Sequence, residues 1–355
     1  MMNLLRRLLV LVCMGFPLMN ASGAAFALTA PGPLLVLPEG GRSFYIEAFA
    51  RAQRDIRIEI CVLQDPEILE ALQAALLRGV SVRVIVDQAK YNATSPSAPD
   101  SEAANLKAFL TNDGGELHLS NPIFPRSFPK IILIDQREVI VGSACLDSTT
   151  FISYRDFATR IRDTAIIKSL SGLFENDWGY SSPPEVKPPL FNPTPKGMAK
   201  RLLISPVNAG NQMVALYQRA RKSLDVYSEI LGNPTLESEL AAAVARGVKV
   251  RLIAPLYVNN LPQAIQDQQK QSLSQLKSVG VEVHVNGTDK QIGTPYLHAR
   301  AAIVDGREAY LGSISLSPDS ITFNREAGLF LADPAAKRQL SEQFELDFHQ
   351  ATRPY

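Results

Sequence analysis

The chain has 355 residues, of which 46% are hydrophobic and 20% charged, and its formal net charge is +1. That length and balance give one large or two medium globular domains with substantial cores and exclude a disordered chain. A near-neutral charge supplies no broad basic field, which argues against nucleic-acid binding by bulk electrostatics; Arg219, Arg221 and Lys222 read as a local, solvated helix face.

Residues 1–27 read as a secretory signal: Arg6 and Arg7 form a positive start, Leu8 to Met19 is apolar, and Ala25-Phe26-Ala27 offers a small-residue cleavage site. Ala21-Ser22-Gly23 is a second candidate, and a retained, tilted anchor is the competing reading. Cys13 follows the bulky Val12 inside the apolar run, which speaks against a lipoprotein. The expectation is an exported, periplasmic protein with no later segment apolar for long enough to span a bilayer. Export leaves Cys61 and Cys145, either as a disulfide or as two buried thiols. No Cys/His spacing suggests a zinc site.

The predicted elements then alternate. Phe44 to Arg54 reads as a helix and Ile56 to Ile60 as an alternating strand. Asp65-Pro66 opens a second helix, with Ile68, Leu69, Leu72 and Leu76 on one face and Gly79 at its end, and Val80 to Val86 is the next strand. That is a βαβ unit with parallel strands. The second half repeats the order: strand Leu224 to Val226, cap Asn233-Pro234, helix face Leu236, Leu240 and Val244, stop Gly247, strand Val248 to Leu252. The offset is 168 residues here (234 − 66) and 170 later (305 − 135). Residues 181–197, with six prolines, read as a semi-rigid linker between residues 28–180 and 198–355. His118 and His284 occupy matching strand positions and read as satisfied structural residues.

One stretch stands out within this repeat. His298-Ala-Arg300 precedes an apolar strand ending at Val304, Asp305-Gly306 is a turn dipeptide, and Gly312-Ser313 follows. Period-two geometry puts the imidazole and guanidinium on one face. The first half carries Phe128-Pro-Lys130, Asp135 and Gly142-Ser143 at the same spacing. A cation, a carboxylate and Gly-Ser occur twice, but the histidine occurs once. A fold does not require a cation at the start of a buried strand; a bound phosphate does.

These motifs resemble the His-x-Lys-x-x-x-x-Asp and Gly-Ser signature of the phospholipase D superfamily, and the resemblance covers nearly the whole mature chain. It implies two homologous α/β lobes, each a mixed, mainly parallel sheet flanked by helices, related by a pseudo-twofold with both motifs at the interface. In such enzymes one histidine attacks phosphorus to give a phosphohistidine, and the other protonates the leaving alcohol and then activates water. By resemblance His298 is the nucleophile, Lys130 and Arg300 neutralise phosphate charge, and Asp305, with Glu326 nearby, orients His298. Asp135 is its counterpart in the first motif. Gly142, Ser143, Gly312, Ser313, Asp156 and Glu326 then belong to the substrate site, with Ser143 and Ser313 donating hydrogen bonds. No cofactor or metal is expected, and a monomer acting on a phosphodiester, foremost a phospholipid, is.

Three departures bear on activity. Phe128 stands at the first histidine position and can neither attack nor transfer a proton. Arg300 replaces a lysine, and Cys145 and Ser315 stand where the family often has Asn. Two expectations follow: an exported phosphodiesterase working with one histidine, or an inactive relative that binds a phosphate or phospholipid headgroup between the lobes. A nuclease acting on nucleic acid is disfavoured by the charge.

Overall fold

The computed structural model describes residues 33–91, 102–181, 198–286 and 294–355. The signal sequence expected at residues 1–27 lies outside them, as does the expected linker apart from Ser181. Both βαβ units form as the caps dictate. The Asp65 carboxylate accepts from the Ile68 amide at 3.2 Å to open helix Pro66–Leu77. Asn233 accepts from Leu236 at 3.0 Å to open Pro234–Ala245.

The first sheet runs, edge to edge, Leu34–Leu37, Tyr154–Ile161, Glu138–Gly142, Ile131–Ile134, Asp55–Ile60, Ser81–Val86 and Glu116–Leu119. The second repeats that order with Leu202–Ser205, Arg325–Phe330, Glu308–Gly312, Ala301–Val304, Ser223–Tyr227, Lys249–Pro255 and Glu282–Asn286, and adds Arg353–Pro354 at its far edge. Both sheets are mixed and flanked by helices. Parallel pairing joins the βαβ strands. The motif strands and their hairpin partners pair antiparallel, so the parallel share is smaller than expected: a three-residue turn after Ile134 or Val304 can only return antiparallel.

Alternation along the motif strands decides how the lobes meet. Ile132 and Ile134 point into the first lobe's own core, and Ala302 and Val304 into the second's. Ile131, Leu133, Ala301 and Ile303 point the other way into a shared core that includes Val141, Phe157, Leu311 and Ala327. Each buried Ile or Leu there contributes on the order of 2 kcal/mol by leaving water, so the same burial that holds each lobe together also holds the two lobes to each other. Two buried ion pairs cross it in matching positions. Arg155 Nε meets Asp347 at 3.0 Å and Arg325 Nε meets Asp177 at 2.9 Å.

His118 and His284 are structural, as read. Each stacks on an aromatic ring, Trp178 at 3.8 Å and Phe348 at 3.6 Å between centroids.

Candidate active site

The segment leading into each motif leaves its own lobe. Tyr296–Leu297 pairs parallel with Tyr154 and Arg155 of the first sheet, and Ser127–Phe128 pairs with Arg325 and Glu326 of the second. This exchange carries His298 to a carboxylate on the opposite lobe. Its Nδ1 donates to Asp156 Oδ2 at 2.8 Å. Asp156 is fully buried and also accepts from Ser143 Oγ at 2.5 Å. Burial alone would raise the Asp156 pKa, but His298, Lys130 and Ser143 together hold it below the usual carboxylate value. Burial, with Lys130 and Arg300 beside it, lowers the His298 pKa. The ring is therefore neutral near pH 7, with its proton on Nδ1 and its lone pair on Nε2.

Arg300 packs against that ring. One of its terminal nitrogens lies 3.3 Å from Nδ1 and 3.2 Å from Nε2; such near-equal distances place it over the ring face, not in line with the Nε2 lone pair. The guanidinium also donates to the His298 carbonyl at 2.7 Å, to Ser315 Oγ at 3.0 Å and to Glu229. Glu229 accepts from the Tyr296 hydroxyl at 3.0 Å. Arg300 keeps the positive charge expected of it but is an ion-paired cation, with much of its donor capacity spent on the protein.

Lys130 approaches from the first lobe with φ 52°, a left-handed conformation unusual for lysine. Its Nζ donates to the Ser143 carbonyl. Burial and the Arg300 charge push its pKa down to about 7, against the opposing pull of Asp156, Glu229 and Glu326. Phe128, Lys130, Glu229, His298 and Arg300, one set from each lobe, line a single cavity of about 750 Å³.

Other expected site residues lie elsewhere. Asp305 is not at the histidine: its carboxylate accepts from the Arg221, Lys222 and Ser223 amides at 2.7–3.2 Å. Asp135 does the same for Gln53, Arg54 and Asp55. Each is five residues beyond its cation, about 16 Å along an extended strand, so it closes the far turn. Asp156 takes the orienting role expected of Asp305. Ser143 and Ser313 do not offer hydroxyls to a substrate. Ser143 donates to Asp156 and accepts from the Phe157 amide, while Ser313 exchanges bonds with the backbone of Ala327. Gly142 and Gly312 let strands touch, since an added Cβ would meet Phe157 O at 2.3 Å or the Gly328 Cα at 2.4 Å.

Glu326 sits in register with Phe128, as Asp156 sits beside His298. It is buried, accepts from Ser320 Oγ at 2.6 Å, and its Oε2 has no hydrogen-bond partner among the described residues. Burial raises its pKa to about 7. It is the orienting carboxyl of a histidine that is not there.

Sequence reasoning missed Glu229 altogether, because a carboxylate just past a strand end carries no motif. It left Cys61 and Cys145 open; they form a disulfide whose two residues both line the cavity.

A family model described as cardiolipin synthase, PLD-like domain, matches residues 45–178 and again 213–348. Cardiolipin synthase of Geobacillus thermodenitrificans is 24% identical over 341 residues, covering 89% of this chain, which spans 66% of that protein's length. Cardiolipin synthase B of Salmonella typhi is 26% identical over 351 residues, covering 88% of this chain and 80% of that one. Among solved structures, phosphatidylserine synthase from Haemophilus influenzae superposes with a TM-score of 0.69 at 17% identity, over 91% of this chain and 87% of its own, and so shares the fold. The duplicated match, on the same two halves that exchange their motif segments, establishes that the chain belongs to the phospholipase D superfamily, in its cardiolipin synthase-type PLD-like domain family.

Proposed function

We propose that this protein is a phospholipid-modifying enzyme of the phospholipase D type that works with one histidine. The observation that carries the reading is the 2.8 Å bond from His298 Nδ1 to Asp156 in a cavity shared by both lobes. A neutral imidazole held by a buried carboxylate keeps its Nε2 lone pair for phosphorus, and the Lys130 and Arg300 charges lower the energy of an anionic transition state beside it. His298 Nε2 attacks the phosphodiester and forms a phosphohistidine. An alcohol or water then attacks that phosphorus and frees the ring. The relatives named cardiolipin synthases support a phospholipid substrate and favour an alcohol as acceptor over water. Asp156, by fixing the ring, and Glu229, by pairing Arg300, are positioning residues.

We further propose that the mature chain is exported and works in an oxidising compartment. The Cys61–Cys145 disulfide supports this, since such bonds persist outside reducing cytosol. Thiol labelling of protein recovered without reductant is expected to find both cysteines blocked; two labelled thiols contradict export.

The test of activity is incubation of the purified mature protein with phosphatidylglycerol vesicles and with a chromogenic phosphodiester, alongside His298→Asn. The expected result is lipid turnover lost in the variant, with cardiolipin marking an alcohol acceptor and phosphatidic acid marking water. No turnover, with inorganic phosphate still raising the thermal midpoint, identifies instead a headgroup-binding relative, the reading that Phe128 favours.

A further inference from the structure

The two motif cations face different neighbours. By the register of the repeat, Cys61 corresponds to Glu229 (229 − 61 = 168) and Cys145 to Ser315 (315 − 145 = 170). In the second lobe those positions hold the partners of Arg300: Glu229 forms its ion pair and Ser315 accepts from its Nε. In the first lobe they hold a disulfide. Lys130 therefore has a neutral, apolar crosslink where Arg300 has a counter-ion, and its Nζ donates to a neutral carbonyl, that of Ser143. Arg300 is fixed as a cation, while Lys130 is a buried amine free to change charge at the cavity wall.

We propose that Lys130 is the proton donor and acceptor of the reaction, taking over the task that Phe128 cannot perform. This rests on the reading of His298 as nucleophile. When His298 Nε2 forms its bond to phosphorus, the bond from phosphorus to the leaving oxygen breaks, and the Lys130 ammonium gives that oxygen a proton to release an alcohol. The resulting neutral amine then takes a proton from the incoming alcohol or water as its oxygen bonds to phosphorus. The P–N bond breaks, its electron pair returns to Nε2, and the ammonium is restored. No other reactant is required.

The placement suits the task. Lys130 is tied to the nucleophile by a short chain: its Nζ to the Ser143 carbonyl, Ser143 Oγ to Asp156, Asp156 to His298. Charged or ionisable groups from other segments act on it: Arg300 repels its proton, Asp156, Glu229 and Glu326 retain it, and His298 interacts with it as well. With burial added, the balance leaves the amine near pH 7, where a general acid–base group is most effective.

The experiment compares wild type with Lys130→Arg, which keeps a cation but cannot release a proton, on two substrates: phosphatidylglycerol, whose alkoxide leaving group needs a proton, and a p-nitrophenyl phosphodiester, which does not. The expected result is a ~10²–10⁴-fold loss of kcat/KM on the lipid, a much smaller loss of kcat/KM on the nitrophenyl ester, because that ratio reports the first transfer and not the shared second step, and disappearance of the limb of the pH–rate profile near neutrality. Equal losses of kcat/KM on both substrates, or a retained limb, overturn the role and leave Lys130 as a phosphate-binding charge. A second variant, Cys61→Glu with Cys145→Ser, installs the second lobe's arrangement beside Lys130 and is expected to move that limb to higher pH; an unmoved limb in the folded variant also overturns it. Activity persisting in His298→Asn, or none in wild type on either substrate, overturns this inference together with the reading beneath it, whereas an unaffected Lys130→Arg overturns this inference alone.

Discussion

His298 is hydrogen-bonded through Nδ1 to Asp156, a residue 142 positions earlier on a strand of the opposite lobe. Neither lobe alone contains both halves of that pair. Asp156 fixes the tautomer that leaves Nε2 unprotonated, so Asp156→Asn is expected to lower kcat by about 10²-fold or more while barely changing KM. Kinetics on the folded variant check this; kcat within a few-fold of wild type contradicts it.

The motif aspartates have a different job. Asp305 satisfies three amides at the start of strand Ser223–Tyr227, and Asp135 three at the start of Asp55–Ile60. Removing either carboxylate strands those donors, so Asp305→Ala or Asp135→Ala is expected to cost about 1–3 kcal/mol of stability with kcat of the folded fraction unchanged. The amides hold both pKa values below that of a free aspartate. The contribution is therefore present above pH ~4 and lost as pH falls through the depressed value. Urea midpoints at pH 7 and at acid pH read both effects.

Phe128 leaves Glu326 without the partner that Asp156 has. Phe128→His places an imidazole in register with that carboxyl, and its Nδ1 is expected to donate to the unpartnered Oε2. Turnover of an alkyl phosphodiester is expected to rise by about 10-fold or more, read by initial rates beside wild type. An unchanged rate with a correctly folded variant indicates that the first half of the cavity no longer admits a catalytic imidazole.

Glu326 and Lys130 also shape stability against pH. Burial raises the folded Glu326 pKa to about 7, above a free glutamate at ~4.3. The native state then binds a proton that the unfolded chain has lost, so this contribution is present below pH ~4 and declines as pH rises to about 7. For Lys130, held down to about 7 against ~10.4 in the unfolded chain, the unfolded state binds more protons above pH 7, and stability rises with pH there. Glu326→Gln is expected to be the more stable protein at pH 8 by on the order of 2 kcal/mol, with the gap closing towards pH 5. Thermal midpoints across that range decide it.

Much of the fold was legible because it is written twice. Asp65-Pro66 with Gly79, and Asn233-Pro234 with Gly247, marked helix ends by local chemistry alone. The alternation from Val80 to Val86 marked a strand for the same reason. His298, Lys130 and Arg300 were legible as one constellation because a cation at the mouth of a buried strand has little structural justification, and all three line the cavity. The exchange of motif segments was not legible: a two-residue pairing such as Tyr296–Leu297 with Tyr154–Arg155 leaves no periodicity. The error over Asp305 follows from that, since without the exchange the nearest carboxylate in sequence looks like the partner. Glu229 was hidden, and the pairing of Cys61 with Cys145 left undecided, for a related reason: they matter through the equivalence of two lobes in space, not through spacing within one.

The central claim is that the phosphoryl group passes through His298. Rapid acid-free quench of the enzyme with a headgroup-cleavable, phosphorus-labelled phospholipid, followed by peptide mass spectrometry, tests it most directly. The expected result is an acid-labile phosphoryl adduct on the peptide bearing His298, absent from His298→Asn. Steady turnover by wild type with no adduct on that histidine contradicts the account.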